Sequence, residues 1–97
     1  LYIMPYVKQK DREKYDLELE SISKELLHCN KENLPGHLNY CISVLLNNIC
    51  DNETNYSIVN SLVGALECCK IELYRRVISE YEDKKIRENG EVYTCSH

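Results

Sequence analysis

The residues of this chain best suited to chemistry on a ligand are phenols and fixed cations. Tyr74-Arg75-Arg76 form an uninterrupted triplet, and Tyr81, Lys85 and Tyr93 follow it. Arginine presents a planar fork of donors that matches phosphate or carboxylate. A tyrosine ring offers a face on which a base stacks. Upstream, Asn39 and Tyr40 carry an amide and a phenol suited to the hydrogen-bonding edge of a base. If several subunits bring Asn39, Tyr40, Tyr74, Arg75, Arg76, Tyr81, Lys85 and Tyr93 together, they form a candidate pocket for a nucleotide with two or more phosphates. The competing reading is structural. Arg75 and Arg76 then pair with Glu72, Glu80 or Glu82, and the tyrosines pack the chain ends against a helix. Charged stripes on long helices are commonly solvated faces.

Catalytic patterns are absent. The chain has no Gly-rich phosphate loop, no His-rich metal motif and no nucleophile elbow. Its three histidines, His28, His37 and His97, stand at loop edges or the terminus, and the cation of His28 suits a helix C-terminal end better than it serves as a base. We therefore expect no enzyme activity, no catalytic residue and no cofactor.

Six cysteines, Cys29, Cys41, Cys50, Cys68, Cys69 and Cys95, permit three disulfides in a secreted chain. No basic stretch followed by a 7–15-residue apolar run marks a signal peptide, so reduced thiols in a cytoplasmic protein are expected. Zinc sites usually pair cysteines two to four residues apart, and no Cys-x-x-Cys occurs. Adjacent Cys68 and Cys69 point about 100° apart on a helix. His28 beside Cys29, and His37 four residues before Cys41, are the remaining weak alternatives. No metal is expected. Asn52-Glu53-Thr54 and Asn55-Tyr56-Ser57 match a glycosylation sequon but read as a polar connection.

Length and charge narrow the classes further. Ninety-seven residues suffice for one domain. The net charge of -4, from 12 basic and 16 acidic side chains, argues against a sequence-independent grip on nucleic acid. It leaves room for a local basic site that takes a small anion. No apolar run reaches the length of a membrane span. Met4 is the sole methionine. The simplest reading starts the natural chain there, with Leu1-Tyr2-Ile3 as added or upstream residues. The rival is processing from a longer precursor.

Three periodic segments must position the candidate residues. From about Asp11 to Cys29, Tyr15, Leu19, Ile22, Leu26 and Cys29 step 4, 3, 4, 3, the mark of one amphipathic helical face. Asp11 suits its N-cap. Pro35-Gly36 breaks the chain, and a second helix is expected over His37 to Cys50 on the stripe Leu38, Cys41, Ile42, Leu45 and Ile49. Val44 and Leu46 widen its apolar surface to two sides. The third and longest segment starts near Ser57 as N-cap and runs to about Glu88, on Ile58, Leu62, Leu66, Cys69, Leu73 and Val77. Gly64 costs about 1 kcal/mol there against Ala, which close helix packing offsets. Glu72–Arg76, Glu80–Lys84 and Asp83–Arg87 are acid-first i,i+4 pairs. Asn89-Gly90 stops the helix. The short ends, Tyr2 to Val7 and Glu91 to Cys95, have extended character and can pair with each other or with a neighbouring chain.

The expected fold is thus all-α: a single three-helix domain over residues 1–97, with a long C-terminal helix and short extended ends. Eight Tyr and neither Phe nor Trp leave a thin core. Burial at roughly 25 cal/mol per Å² barely offsets ordering at about 1.5 kcal/mol per residue, so a homo-oligomer is expected.

Longer motifs carry a resemblance. The opening Met4-Pro5-Tyr6-Val7-Lys8-Gln9-Lys10-Asp11-Arg12, the middle Leu38-Asn39-Tyr40 and the closing Leu66-Glu67-Cys68-Cys69-Lys70-Ile71-Glu72-Leu73-Tyr74-Arg75-Arg76 belong to one pattern. Tyr81-Glu82-Asp83-Lys84-Lys85-Ile86 and Asn89-Gly90-Glu91-Val92-Tyr93 complete it. The chain resembles a family of small uncharacterised phage and bacterial proteins from Met4 to Tyr93. That family more usually has Asp after Asn-Gly; Glu91 keeps the charge on a longer arm, which weakens the case for a short-range capping role. The resemblance implies a phage-like source and no established activity. Two functions follow as expectations. The first is a non-enzymatic binder that sequesters a nucleotide defence signal. The alternative is a protein-interaction module that inhibits or adapts a host or phage protein. Neither requires a membrane.

Overall fold

The computed structural model describes residues 6–52 and 55–93. Among these residues every regular element is helical and no strand occurs. A 3-10 turn at Gln9–Asp11 precedes α1 (Glu13–Leu27) and α2 (Leu34–Asn52). The third segment comprises α3 (Tyr56–Leu73), a π-helical turn (Tyr74–Ile78) and α4 (Ser79–Asn89) without interruption. The expected all-α architecture of three helical segments, the last one long, is therefore present. No described helix is long and apolar enough to cross a membrane. Most of the chain ends expected to be extended lies outside the described residues, as does Cys95.

The chain divides into two compact units, Leu1–Leu62 and Val63–His97. In the first, α1 packs along α2. Leu26 and Cys29 on one side, and Leu34, Cys41, Ile42, Leu46 and Cys50 on the other, are half-buried. The covered stripe of α2 therefore differs from the expected one. Leu46 and Cys50 replace Leu45 and Ile49, which face outward with Leu38 as a second apolar stripe. Among the described residues no side chain is fully buried. The second unit holds the rest of α3, the π turn and α4, with Glu72 and Ile78 its half-buried residues.

Three local expectations are corrected by backbone geometry. Asp11 does not cap α1. It sits in the 3-10 turn, donating its N–H to the Lys8 carbonyl at 2.9 Å, and Arg12 occupies the cap position. Pro35-Gly36 does not precede α2 but lies in its first turn, where proline's missing N–H has no helical partner to lose. The His37 N–H already donates to the Asn33 carbonyl at 3.1 Å. The cap of α3 is Asn55 rather than Ser57: Asn55 Oδ1 accepts the Ile58 N–H at 2.9 Å, while the Ser57 carbonyl accepts the Ser61 hydroxyl at 2.9 Å. The second sequon asparagine is thus a structural cap. At the far end the expectation holds. Gly90, at φ 96°, donates its N–H to the Ile86 carbonyl at 2.7 Å, a positive φ that glycine adopts without a Cβ clash.

Gly64 meets no offsetting contact, since a Cβ built on it has nothing within 4 Å. Gly64→Ala should therefore raise stability by about 1 kcal/mol, read from a denaturant melt. A loss instead would mean that another protein surface packs against this face. Asn55→Ala should cost about 1 kcal/mol by removing the α3 cap.

Candidate functional site

The candidate residues fall on both units. Asn39 and Tyr40 lie on α2, in the first; Tyr74, Arg75, Arg76, Tyr81, Lys85 and Tyr93 lie in the second. Asn39 Oδ1 accepts the Ser43 hydroxyl at 3.3 Å, one turn along α2. Tyr40 instead lines an open hollow with Glu32, Asn33, Gly36 and His37. The two neighbours thus meet different surroundings, and Asn39 is engaged within its own helix.

The triplet Tyr74-Arg75-Arg76 opens the π turn. The Ser79 N–H donates to the Tyr74 carbonyl five residues earlier, where an α-helix would close over four. Such a widened turn holds an extra residue and sets back the phase of everything downstream by about 100°. Leu73 before the turn and Val77 within it are both exposed, and Ile78 is half-buried. The residue sequence carries no local mark of this insertion. π turns in other proteins concentrate at functional positions.

One carboxylate organises both arginines. Arg76 Nε donates to Glu72 Oε2 at 2.7 Å, a short charge-assisted bond. Arg75 Nη1 lies 3.9 Å from Glu72 Oε1, a looser contact. The Glu72 side chain is only 15% exposed, while those of Arg75 and Arg76 are 67% and 60% exposed. Glu80–Lys84 and Asp83–Arg87 do not close as ion pairs. Lys85 Nζ contacts Glu88 Oε2 at 3.5 Å instead and lies 5.6 Å from the centre of the Tyr81 ring. Glu91, despite its longer arm, does act at short range: its Oε1 accepts the N–H groups of Val92 at 2.7 Å and Tyr93 at 2.8 Å. Arg75–Glu72, Arg76–Glu72 and Lys85–Tyr81 are the groupings formed; Tyr93 is held by its backbone alone.

Two further hollows lie in the first unit, apart from the candidate residues above. Ser21, Glu25, Cys29, His37 and Cys41 border a cavity of about 330 Å³ between α1 and α2. The Cys29 thiol donates to the Glu25 carbonyl at 3.7 Å. This brings His37 and Cys41 together as their spacing suggests, yet no cluster of three metal-ligating side chains forms among the described residues. The described cysteines are free thiols. Near the start of α1, Tyr6, Val7, Arg12, Tyr15, Asp16 and Leu19 line an open hollow of about 430 Å³. Arg12 Nε donates to the Val7 carbonyl at 3.1 Å, folding the preceding strand of chain back toward α1. The base-first Arg12/Asp16 spacing was the available signal, because that order favours pairing less than acid-first.

The wide turn generates a direct test. Deleting Val77 should leave an uninterrupted α-helix, with far-UV circular dichroism helicity equal to or above the parent's. A drop in helicity would show that packing requires the extra residue.

No curated protein and no solved structure matches the chain. Residues 4–92 match the family model described as a domain of unknown function, DUF6899, and the chain belongs to that family.

Proposed function

We propose that the chain is a non-enzymatic, phage-type binding protein that sequesters a nucleotide-type signal in the host cytoplasm, working as a homo-oligomer. The observation that carries this reading is the convergence of Arg75 and Arg76 on the partly covered carboxylate of Glu72, at a π turn that also presents Tyr74. Glu72 holds the two forks in place, and a phosphate oxygen competes for the same donors. The looser Arg75 contact is the one that a ligand displaces first. Tyr74, half-exposed on the same turn, supplies a ring for stacking. Exposed ion pairs of this kind contribute little to stability, so the pair can exchange partners at small cost to the fold.

A protein-interaction role draws on a different observation. Large apolar side chains stand open, with Leu17 74% and Leu27 81% exposed. A pulldown from host lysate separates the two readings, because a ligand sponge works without a stable protein partner.

Calorimetry with cyclic dinucleotides and ADP-ribose derivatives tests the first reading. Binding to at least one compound is expected. Replacing Arg75 and Arg76 together by Ala should abolish it with circular dichroism unchanged, and Glu72→Gln should tighten it several-fold by removing the carboxylate charge that competes for the Arg75 donors. Absence of binding across the panel, or weaker binding in Glu72→Gln, would contradict the proposal.

A further inference from the structure

We infer a second nucleotide site, built by the N-terminal arm and the start of α1, that selects a guanine base. It shares only the ligand class with the reading above and none of its residues. The hollow lined by Tyr6, Val7, Arg12, Tyr15, Asp16 and Leu19 is open to solvent and has a volume of about 430 Å³. Two tyrosines and Leu19 give it aromatic and aliphatic walls suited to a flat ring. Lys14 Nζ lies 5.3 Å from the Tyr15 ring centre, adding positive charge beside that ring.

Two polar groups in the cavity are complementary to a particular base edge. Arg12 is held by its Nε, which donates to the Val7 carbonyl at 3.1 Å, so its outer nitrogens are oriented without being consumed. Asp16, one turn further on, closes no ion pair with Arg12, although both line the same space. A carboxylate accepts only, and a guanidinium donates only. Guanine presents both counterparts on one ring system: its N1–H and N2 amino group are adjacent donors, and its O6 and N7 are acceptors to which arginine pairs in bidentate fashion. Adenine lacks the adjacent donor pair, and its N6 amino group would face Arg12, donor against donor.

A second hollow adjoins the first. It shares Tyr6, Val7 and Arg12 and adds Lys8, Lys10 and Asp11. Three cations against one carboxylate make it a locally basic place in a chain of net charge -4. A base seated between the tyrosines, with Arg12 on its O6 and N7, thereby extends its phosphates toward Lys8 and Lys10. The juxtaposition of an aromatic cavity bearing an acceptor with a basic hollow matches a guanine nucleoside diphosphate in both halves.

The test is calorimetry of the full chain with GDP, ADP and inosine diphosphate, which lacks the 2-amino group. GDP should bind about tenfold or more tightly than ADP, with inosine diphosphate between them. Asp16→Asn, at an exposed position, should remove the preference for GDP over ADP while leaving the circular dichroism spectrum intact. Arg12→Ala should weaken GDP about tenfold or more, and the double Arg75/Arg76 to Ala variant should bind GDP as the parent does. Equal affinity for GDP and ADP, an unaltered preference in Asp16→Asn, or no GDP binding at millimolar concentration would overturn the site. Loss of GDP binding in the Arg75/Arg76 variant would place the nucleotide at the π turn instead.

Discussion

An amphipathic helix gains little stability from its own hydrogen bonds; most comes from taking its apolar face out of water. Everything else in this chain depends on how far that requirement is met. In the first unit α1 and α2 cover each other at Leu26, Cys29, Cys41, Ile42, Leu46 and Cys50. The coverage is half-burial only, and Leu38, Leu45 and Ile49 stay open on α2. At about 25 cal/mol per Å², such exposed stripes are the main untapped source of stability. The N-terminal cavity depends on the same pairing. Tyr15, Asp16 and Leu19 hold their places only while α1 is a helix, and α1 is braced by α2.

The second unit meets the requirement differently. Its apolar positions before the turn are exposed, and one of its two half-buried residues is a carboxylate, Glu72, contacted by two arginine side chains. Long cationic side chains shield surface with their aliphatic stems while keeping their heads in water. The closing motif's phenols and cations accordingly fall in separate groups: Arg75 and Arg76 on Glu72 at the turn, Lys85 beside Tyr81 on α4, and Tyr93 beyond the helix.

Much of this was legible in the residues. The 4, 3, 4, 3 spacing of α1, the acid-first pairing of Glu72 with Arg76 and the glycine stop at Gly90 are local, and local rules found them. The misses share a different cause. Pro35-Gly36 suits either a break or a first helical turn, and only the hydrogen bonds beyond it decide. The choice between Leu45/Ile49 and Leu46/Cys50 as the covered stripe of α2 depends on where α1 lies. Asn55 outcompeted Ser57 as cap because one residue of chain geometry separates two good candidates. The π turn leaves no residue signature, since an inserted residue resembles any other. At the N-terminal hollow, the bond from Arg12 to the backbone five residues before it is not marked by any residue pattern.

We propose that further copies of the same chain complete the open apolar faces. Multi-angle light scattering between about 1 and 100 μM, with thermal unfolding at the same concentrations, tests this. A dimer or larger species is expected, with an unfolding midpoint that rises with concentration, as mass action requires when association stabilises the fold. A strict monomer whose cooperative midpoint is independent of concentration would contradict it.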